Sequence, residues 1–183
     1  LLATKSRLFY SLAMLYYRNL VKKEAKLAGI KPCDKVLCIG GGICPYTGIL
    51  LHRYTGAEVT IVDNNQACIE KSRRFLKRRG LQQIQVCHGD GTTINCSDYT
   101  VIHLALQVAP KEQVLESVVS CSQVGARVLV RMPKAGVAGL YSELTQKMFS
   151  FESCIDHSSL SNVGKTLLCV VPQKPRFGAR MAT

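Results

Sequence analysis

No stretch of this 183-residue chain approaches the roughly 18 to 20 apolar residues that a membrane-spanning helix needs. The most apolar N-terminal stretch, Leu8 to Tyr17, is broken by Ser11 and three tyrosines. A soluble, cytoplasmic protein with no membrane partner is expected. Nine cysteines are present, but no Cys-x-x-Cys pair, so a zinc or dithiol redox site has no support and no metal ligands are assigned. Acidic residues are few, 12 Asp and Glu against 24 Lys and Arg, for a formal charge of +12. Such an excess attracts polyanions or anionic substrates. Internal repeats are absent, and so is an initiating Met, which leaves open whether the N-terminus is truncated.

What is there begins with the cysteines and the charge. Free Cys usually packs as a small apolar residue, as Cys38 and Cys169 should within their apolar runs. Cys44 sits in a glycine turn with no base nearby in sequence to make it a nucleophile. The densest basic cluster is Lys71, Arg73, Arg74, Lys77, Arg78 and Arg79, on a segment whose Cys68, Ile69, Phe75 and Leu76 can face a sheet. A solvated helix face is its simplest account, and a nucleic-acid footprint its rival.

At 47% hydrophobic content, a chain of this length can bury one core and not two, so a single globular domain is expected. Val36-Leu37-Cys38-Ile39-Gly40-Gly41-Gly42-Ile43-Cys44-Pro45-Tyr46-Thr47-Gly48 reads as a buried strand, a glycine turn and a helix start. Twenty-one residues after Gly42, Asp63 ends a second apolar run. Glycines let the backbone approach a ligand, the helix start offers free N–H groups, and an acid about 20 residues on can take ribose hydroxyls. A nucleotide-cofactor binder follows.

The apolar spacing of Leu8, Leu12, Leu15, Tyr16, Leu20 and Val21 predicts one or two N-terminal helices. Strands are expected over Lys35–Ile39, Glu58–Val62, Ile84–His88, Thr100–Leu106 and Arg127–Arg131, with helices from Pro45 to about Tyr54, from Asn64 or Asn65 to Gly80, over Lys111–Cys121 and over Tyr141–Phe149. Phe151–His157 and Lys165–Val171 are strand-like with no crossover helix between them, which predicts an antiparallel hairpin ending a parallel sheet. The organisation is then an N-terminal helical segment 1–31, a cofactor-binding domain 32–172 and a loose tail 173–183.

On these residues the chain resembles the class I S-adenosylmethionine-dependent methyltransferases, over about Lys35 to Pro172. The resemblance implies an α/β fold: a Rossmann-like three-layer α/β/α sandwich, mostly parallel with an antiparallel last strand. It implies that S-adenosylmethionine is held by the glycine loop Gly40, Gly41 and Gly42, by Pro45 and Thr47, and by Asp63 and Asn64 at the ribose. Gly89, Asp90 and Gly91 would lie at the adenine. Cys38 stands where the family often has an acid for the methionine ammonium, so another group must neutralise it.

A narrower likeness joins Gly40 to Thr47 to the glycine turn of the nicotianamine synthase family, with Tyr17 to Val21, Glu24, Val128 to Arg131, Ala135-Gly136 and Leu140-Tyr141 as further matches. Those enzymes transfer the 3-amino-3-carboxypropyl group to an amine. The chain lacks most of their N-terminal helical domain. The resemblance implies a transferase, methylating a small molecule or moving the aminocarboxypropyl group. RNA or DNA methylation, a non-catalytic cofactor module and an NAD dehydrogenase are the other readings.

Tyr46, beside the cofactor loop, and Gln107, past the fourth strand, are the candidate catalytic residues. His103 reads as a core histidine, and Arg131 as an ion-pair partner or a carboxylate binder. The fourth strand ends in Leu106-Gln107-Val108-Ala109-Pro110, not in the Asn/Asp-Pro-Pro-Tyr/Phe sequence that grips planar amino groups, and no carboxylate cluster follows it to hold a metal. Homo-oligomerisation is left open.

Overall fold

Strand β1, Lys35–Ile39, is buried at every position but its first, which is how a central parallel strand covered on both faces behaves. In the computed structural model, which describes residues 7–145, 149–157 and 161–173, β1 lies between β2 (Glu58–Asp63) and β4 (Val101–Leu104), parallel to both. With β3 (Gln85–His88), β5 (Arg127–Pro133), β6 (Ser153–Asp156) and β7 (Val163–Val170), the sheet runs β3-β2-β1-β4-β5-β7-β6. β7 is antiparallel to both its neighbours. The reversed terminal hairpin is as expected, with β7 inserted between β5 and β6.

Helices cover both faces. On one side pack α1 (Arg7–Leu27), α2 (Tyr46–Thr55) and α3 (Gln66–Lys77), where Val21, Ile49, Leu51 and Phe75 meet Val36, Val59, Ile61 and Leu129. On the other, α4 (Lys111–Cys121) lays Val114, Leu115 and Val118 on Leu37, Ile102, Leu104 and Val128. Asn65 caps α3 by accepting from the amides of Ala67 and Cys68, which decides between the two asparagines that were candidates. Among the described residues no helix is long and apolar enough to cross a membrane.

Two expectations are corrected. No helix forms over Tyr141–Leu144; a short 3-10 helix occupies Ala135–Leu140, after which Tyr141 is extended. The reason is tertiary: the Ser142 hydroxyl accepts from the backbone N–H of Lys111 at 2.8 Å, capping α4, whose own cap position is Pro110 with no side chain to offer. The remainder of that expected helix, 146–148, lies outside the described residues, as do 174–183 of the expected tail. Strand β4 stops at Leu104 rather than Leu106; past it the carbonyls of Ala105, Leu106 and Val108 accept from the ammonium of Lys111 at 2.7 to 3.5 Å instead of from a neighbouring strand.

Candidate functional site

The carboxyl ends of β1, β2 and β4 open onto a loop that the sheet itself tethers. The amides of Gly40 and Gly41 both donate to the Val62 carbonyl, at 2.8 and 3.2 Å, and the amide of Gly42 donates to Asp63 Oδ2 at 2.7 Å. Gly42 has φ +61°, which glycine adopts without strain. At Gly41 the constraint is contact: a Cβ there would lie 2.1 Å from Ile61 Cγ2. The second oxygen of Asp63 takes the Asn65 amide at 3.0 Å. One carboxylate thus ties the glycine loop to the start of α3.

Two cavities flank this loop. The larger, about 420 Å³, is walled by Gly40, Gly42, Asp63, Asn64, Gly89, Asp90, Gly91 and Gln107, and also by Asn65, Cys68 and Val114. The smaller, about 70 Å³, is walled by Gly40, Gly41, Pro45, Tyr46, Thr47 and Gln107, together with Tyr17, Cys38, His103 and Arg131. Every residue expected to bind cofactor or substrate lines one of the two. Ile39, Gly40 and Gln107 line both, and the Gln107 amide donates to the Gly40 carbonyl at 2.9 Å across the divide.

Each candidate side chain has a defined setting. Asp90 is exposed, and the backbone and hydroxyl of Thr92, both 2.8 Å from Oδ1, hold its carboxyl below the ordinary range. Tyr46 packs among Tyr10, Tyr17 and Phe75 at ring separations of 5.7 to 6.1 Å, its hydroxyl buried without a partner. Burial, with Cys44 beside it, pushes that phenol up, so at neutral pH Tyr46 can donate a hydrogen bond but is no base. Burial also raises the Cys44 thiol and pushes Cys38 up to about 12, leaving neither as a ready nucleophile. Among the described residues no three His, Cys, Asp or Glu side chains converge as a metal site would require.

The charged centre of the smaller cavity was only half legible. Arg131 does form an ion pair, donating from Nε and Nη2 to the two oxygens of Glu24 at 2.8 and 2.7 Å, with both side chains buried. Glu24 also accepts from the Thr166 hydroxyl at 2.8 Å. Burial alone would raise the Glu24 carboxyl; the Arg131 guanidinium bonded to both its oxygens overcomes this and holds the group far below its usual range. His103 is 1% exposed, as expected of a core histidine, yet its Nε2 has no hydrogen bond, lying 3.4 Å from Glu24. Burial, then Arg131, depresses its basicity and keeps the ring neutral. Glu24 carried a signal in the sequence: a lone acid in the Leu20, Val21, Ala25, Ala28 stripe of an otherwise buried helix face.

Comparison with known proteins agrees with this fold. A family model described as protein-L-isoaspartate(D-aspartate) O-methyltransferase matches residues 17–135. A curated relative, an L-histidine 2-aminobutanoyltransferase of Yersinia pestis, is 29% identical over 117 residues, 63% of this chain and 43% of that protein. The chain therefore spans less than half the length of that relative. A crystal structure of a mutant of MtNAS, a nicotianamine synthase, in complex with S-adenosylmethionine superposes with a TM-score of 0.79, at 25% identity, covering 93% of this chain and 69% of the other. An RNA methyltransferase from Salinibacter ruber, solved with S-adenosyl-L-homocysteine, shares the fold at 16% identity, TM-score 0.69, over 86% of this chain and 93% of that one.

Proposed function

Because the chain belongs to the protein-L-isoaspartate(D-aspartate) O-methyltransferase family, we propose that it is an S-adenosylmethionine-dependent transferase whose acceptor is a small molecule. The observation that carries this is the pair of cavities meeting at Gly40, with Asp63 and Asp90 in the wall of one and the cationic Arg131 in the wall of the other. Asp63 is suited to take ribose hydroxyls through lone pairs not used by Gly42 and Asn65, Gly89 to Gly91 to face adenine, and Gly41, Pro45 and Thr47 to line the path of the chain beyond sulfur. Residues 32–172 would form this cofactor-binding unit, with 1–31 as the helical segment laid against it.

When bound, S-adenosylmethionine supplies an activated sulfonium whose sulfur takes the electron pair of the broken C–S bond. The chain's own task is alignment and exclusion of water, for which no strong base is obligatory. Tyr46 offers a hydrogen-bond donor and Gln107 an amide at the junction of the cavities. Methyl transfer is the first reading. Aminocarboxypropyl transfer is the second, favoured by the likeness to MtNAS over 93% of this chain and to the Yersinia pestis aminobutanoyltransferase. Incubation with S-adenosylmethionine and a mixture of small amines and carboxylates separates them. S-adenosylhomocysteine marks the first and methylthioadenosine the second; no turnover and no binding of the cofactor would refute both.

Nucleic acid is not the favoured acceptor, because the basic cluster on and just after α3 is partly occupied: Arg73 is bonded to the Val86 carbonyl and the Arg79 guanidinium lies 3.7 Å from the Phe75 ring centroid. Binding to RNA that weakens steeply with salt would reverse this preference. A cytoplasmic, reducing location fits the thiols among the described residues, all of them free.

A further inference from the structure

A buried guanidinium that is only half used stands in the wall of the smaller cavity. Arg131, 4% exposed, spends Nε and one proton of Nη2 on Glu24. Among the described residues no acceptor takes Nη1 or the other Nη2 proton, although Arg131 lines the cavity with Tyr17 and His103. Such N–H groups can serve an acceptor that enters the cavity. Fork-shaped donors of this kind match carboxylate geometry. The neighbouring orphan, His103 Nε2, is buried and unbonded in the same wall.

The strand register explains why these groups meet. Cys38 pairs with His103 and His103 with Leu129, so all three side chains share one sheet face, and Arg131, two residues beyond Leu129, shares it too. Cys38 is neutral, which leaves this wall without an exposed carboxylate. Glu24 is 0% exposed and sits behind Arg131, clamping it in place. The cavity therefore presents the free N–H groups of a guanidinium held in place by its ion pair with Glu24, in a space of about 70 Å³ that suits the head of an α-amino acid better than a second whole substrate.

Resting on the cofactor reading above, we infer that Arg131, oriented by Glu24, is the receptor for the carboxylate of the amino-acid end of S-adenosylmethionine. The ligand would pass over Gly40, which lines both cavities, with the nucleoside in the larger and the amino-acid head against Arg131. Specificity for the full cofactor over truncated nucleosides would then come from a β5 arginine, without an acid at the end of β1.

The test is calorimetric titration of the wild-type chain with three ligands: S-adenosylhomocysteine, the same molecule lacking its carboxylate, and methylthioadenosine, which lacks the whole amino-acid head. A charge-assisted hydrogen-bonded pair predicts that loss of the carboxylate weakens binding by about 10- to 100-fold. Arg131→Gln should bring S-adenosylhomocysteine down to the affinity of the carboxylate-free ligand and leave methylthioadenosine unchanged. Equal affinity of the wild type for the first two ligands overturns the assignment, as does a folded Arg131→Gln that weakens all three alike. If none of the three binds the wild type, the cofactor reading itself has failed. Should Arg131→Gln not fold, Arg131→Lys takes its place: it keeps the charge but loses the fork, so it should narrow the gap between S-adenosylhomocysteine and the carboxylate-free ligand, and an unchanged gap overturns the assignment.

Discussion

Asp63 and Gly42, 21 residues apart, are joined by a 2.7 Å hydrogen bond from the glycine amide to Oδ2 of the carboxylate. The loop that would cradle the cofactor is therefore pre-set by the residue that would hold its ribose. Preorganisation of this kind lowers the cost of binding, because the loop is not ordered at the ligand's expense.

Asp63→Asn replaces one accepting oxygen with an NH2 that must face either the Gly42 or the Asn65 N–H. Affinity for S-adenosylhomocysteine is expected to fall by about 10- to 100-fold, the worth of a charge-assisted contact. Calorimetry checks this, with circular dichroism to confirm the fold.

Gly41→Ala should be damaging for a reason independent of any ligand. Its Cβ would be driven against Ile61, and overpacking of this kind costs about 1 to 3 kcal/mol. Gly136→Ala, where nothing lies within 4 Å of the added carbon, should stay within about 0.5 kcal/mol of the wild type. Thermal unfolding of the two variants compares them directly.

How far the sequence discloses the fold can be judged at these positions. Glycine, proline and asparagine signals are local, so the ends of β1 and α2 and the start of α3 were legible to within a residue or two, while α3 stops at Lys77, three residues before Gly80. The contact between Glu24 and Arg131 spans 107 residues and depends on α1 packing across the β5 face, which no local pattern encodes. The same holds for Ser142 capping α4: the capping hydroxyl sits 31 residues beyond the amide it serves, where helical spacing alone suggested a helix.

Glu24→Gln should cost about 3 to 5 kcal/mol at neutral pH, since it leaves the Arg131 cation buried without its counter-charge. The folded-state carboxyl titrates below the ordinary value of 4.5. The stability it contributes is therefore complete above pH 4.5 and is lost as pH falls towards the lower folded value. Urea denaturation from pH 7 to pH 3 should show this acid limb in the wild type and a shallower one in the variant.

Lys111 is fully buried, and burial lowers its ammonium to about 8 from 10.5. Between those values the unfolded chain holds more protons than the folded one, so this group's contribution to stability rises with pH over that window. At about 1.36 kcal/mol per pKa unit, the rise amounts to roughly 3 kcal/mol. Lys111→Met should remove it, so the difference in unfolding free energy between wild type and variant should change in the wild type's favour from pH 8 to pH 10.5. A constant difference would show that the carbonyls of Ala105, Leu106 and Val108 keep the ammonium charged throughout.

The most direct test of the central claim is a crystal structure of the chain grown with S-adenosylhomocysteine. The account predicts adenosine in the larger cavity, its ribose hydroxyls on Asp63 and its base beside Asp90, with the thioether passing Gly40. A ligand-free cavity at saturating concentration, or an Asp63 carboxylate turned away from a bound ribose, would contradict it.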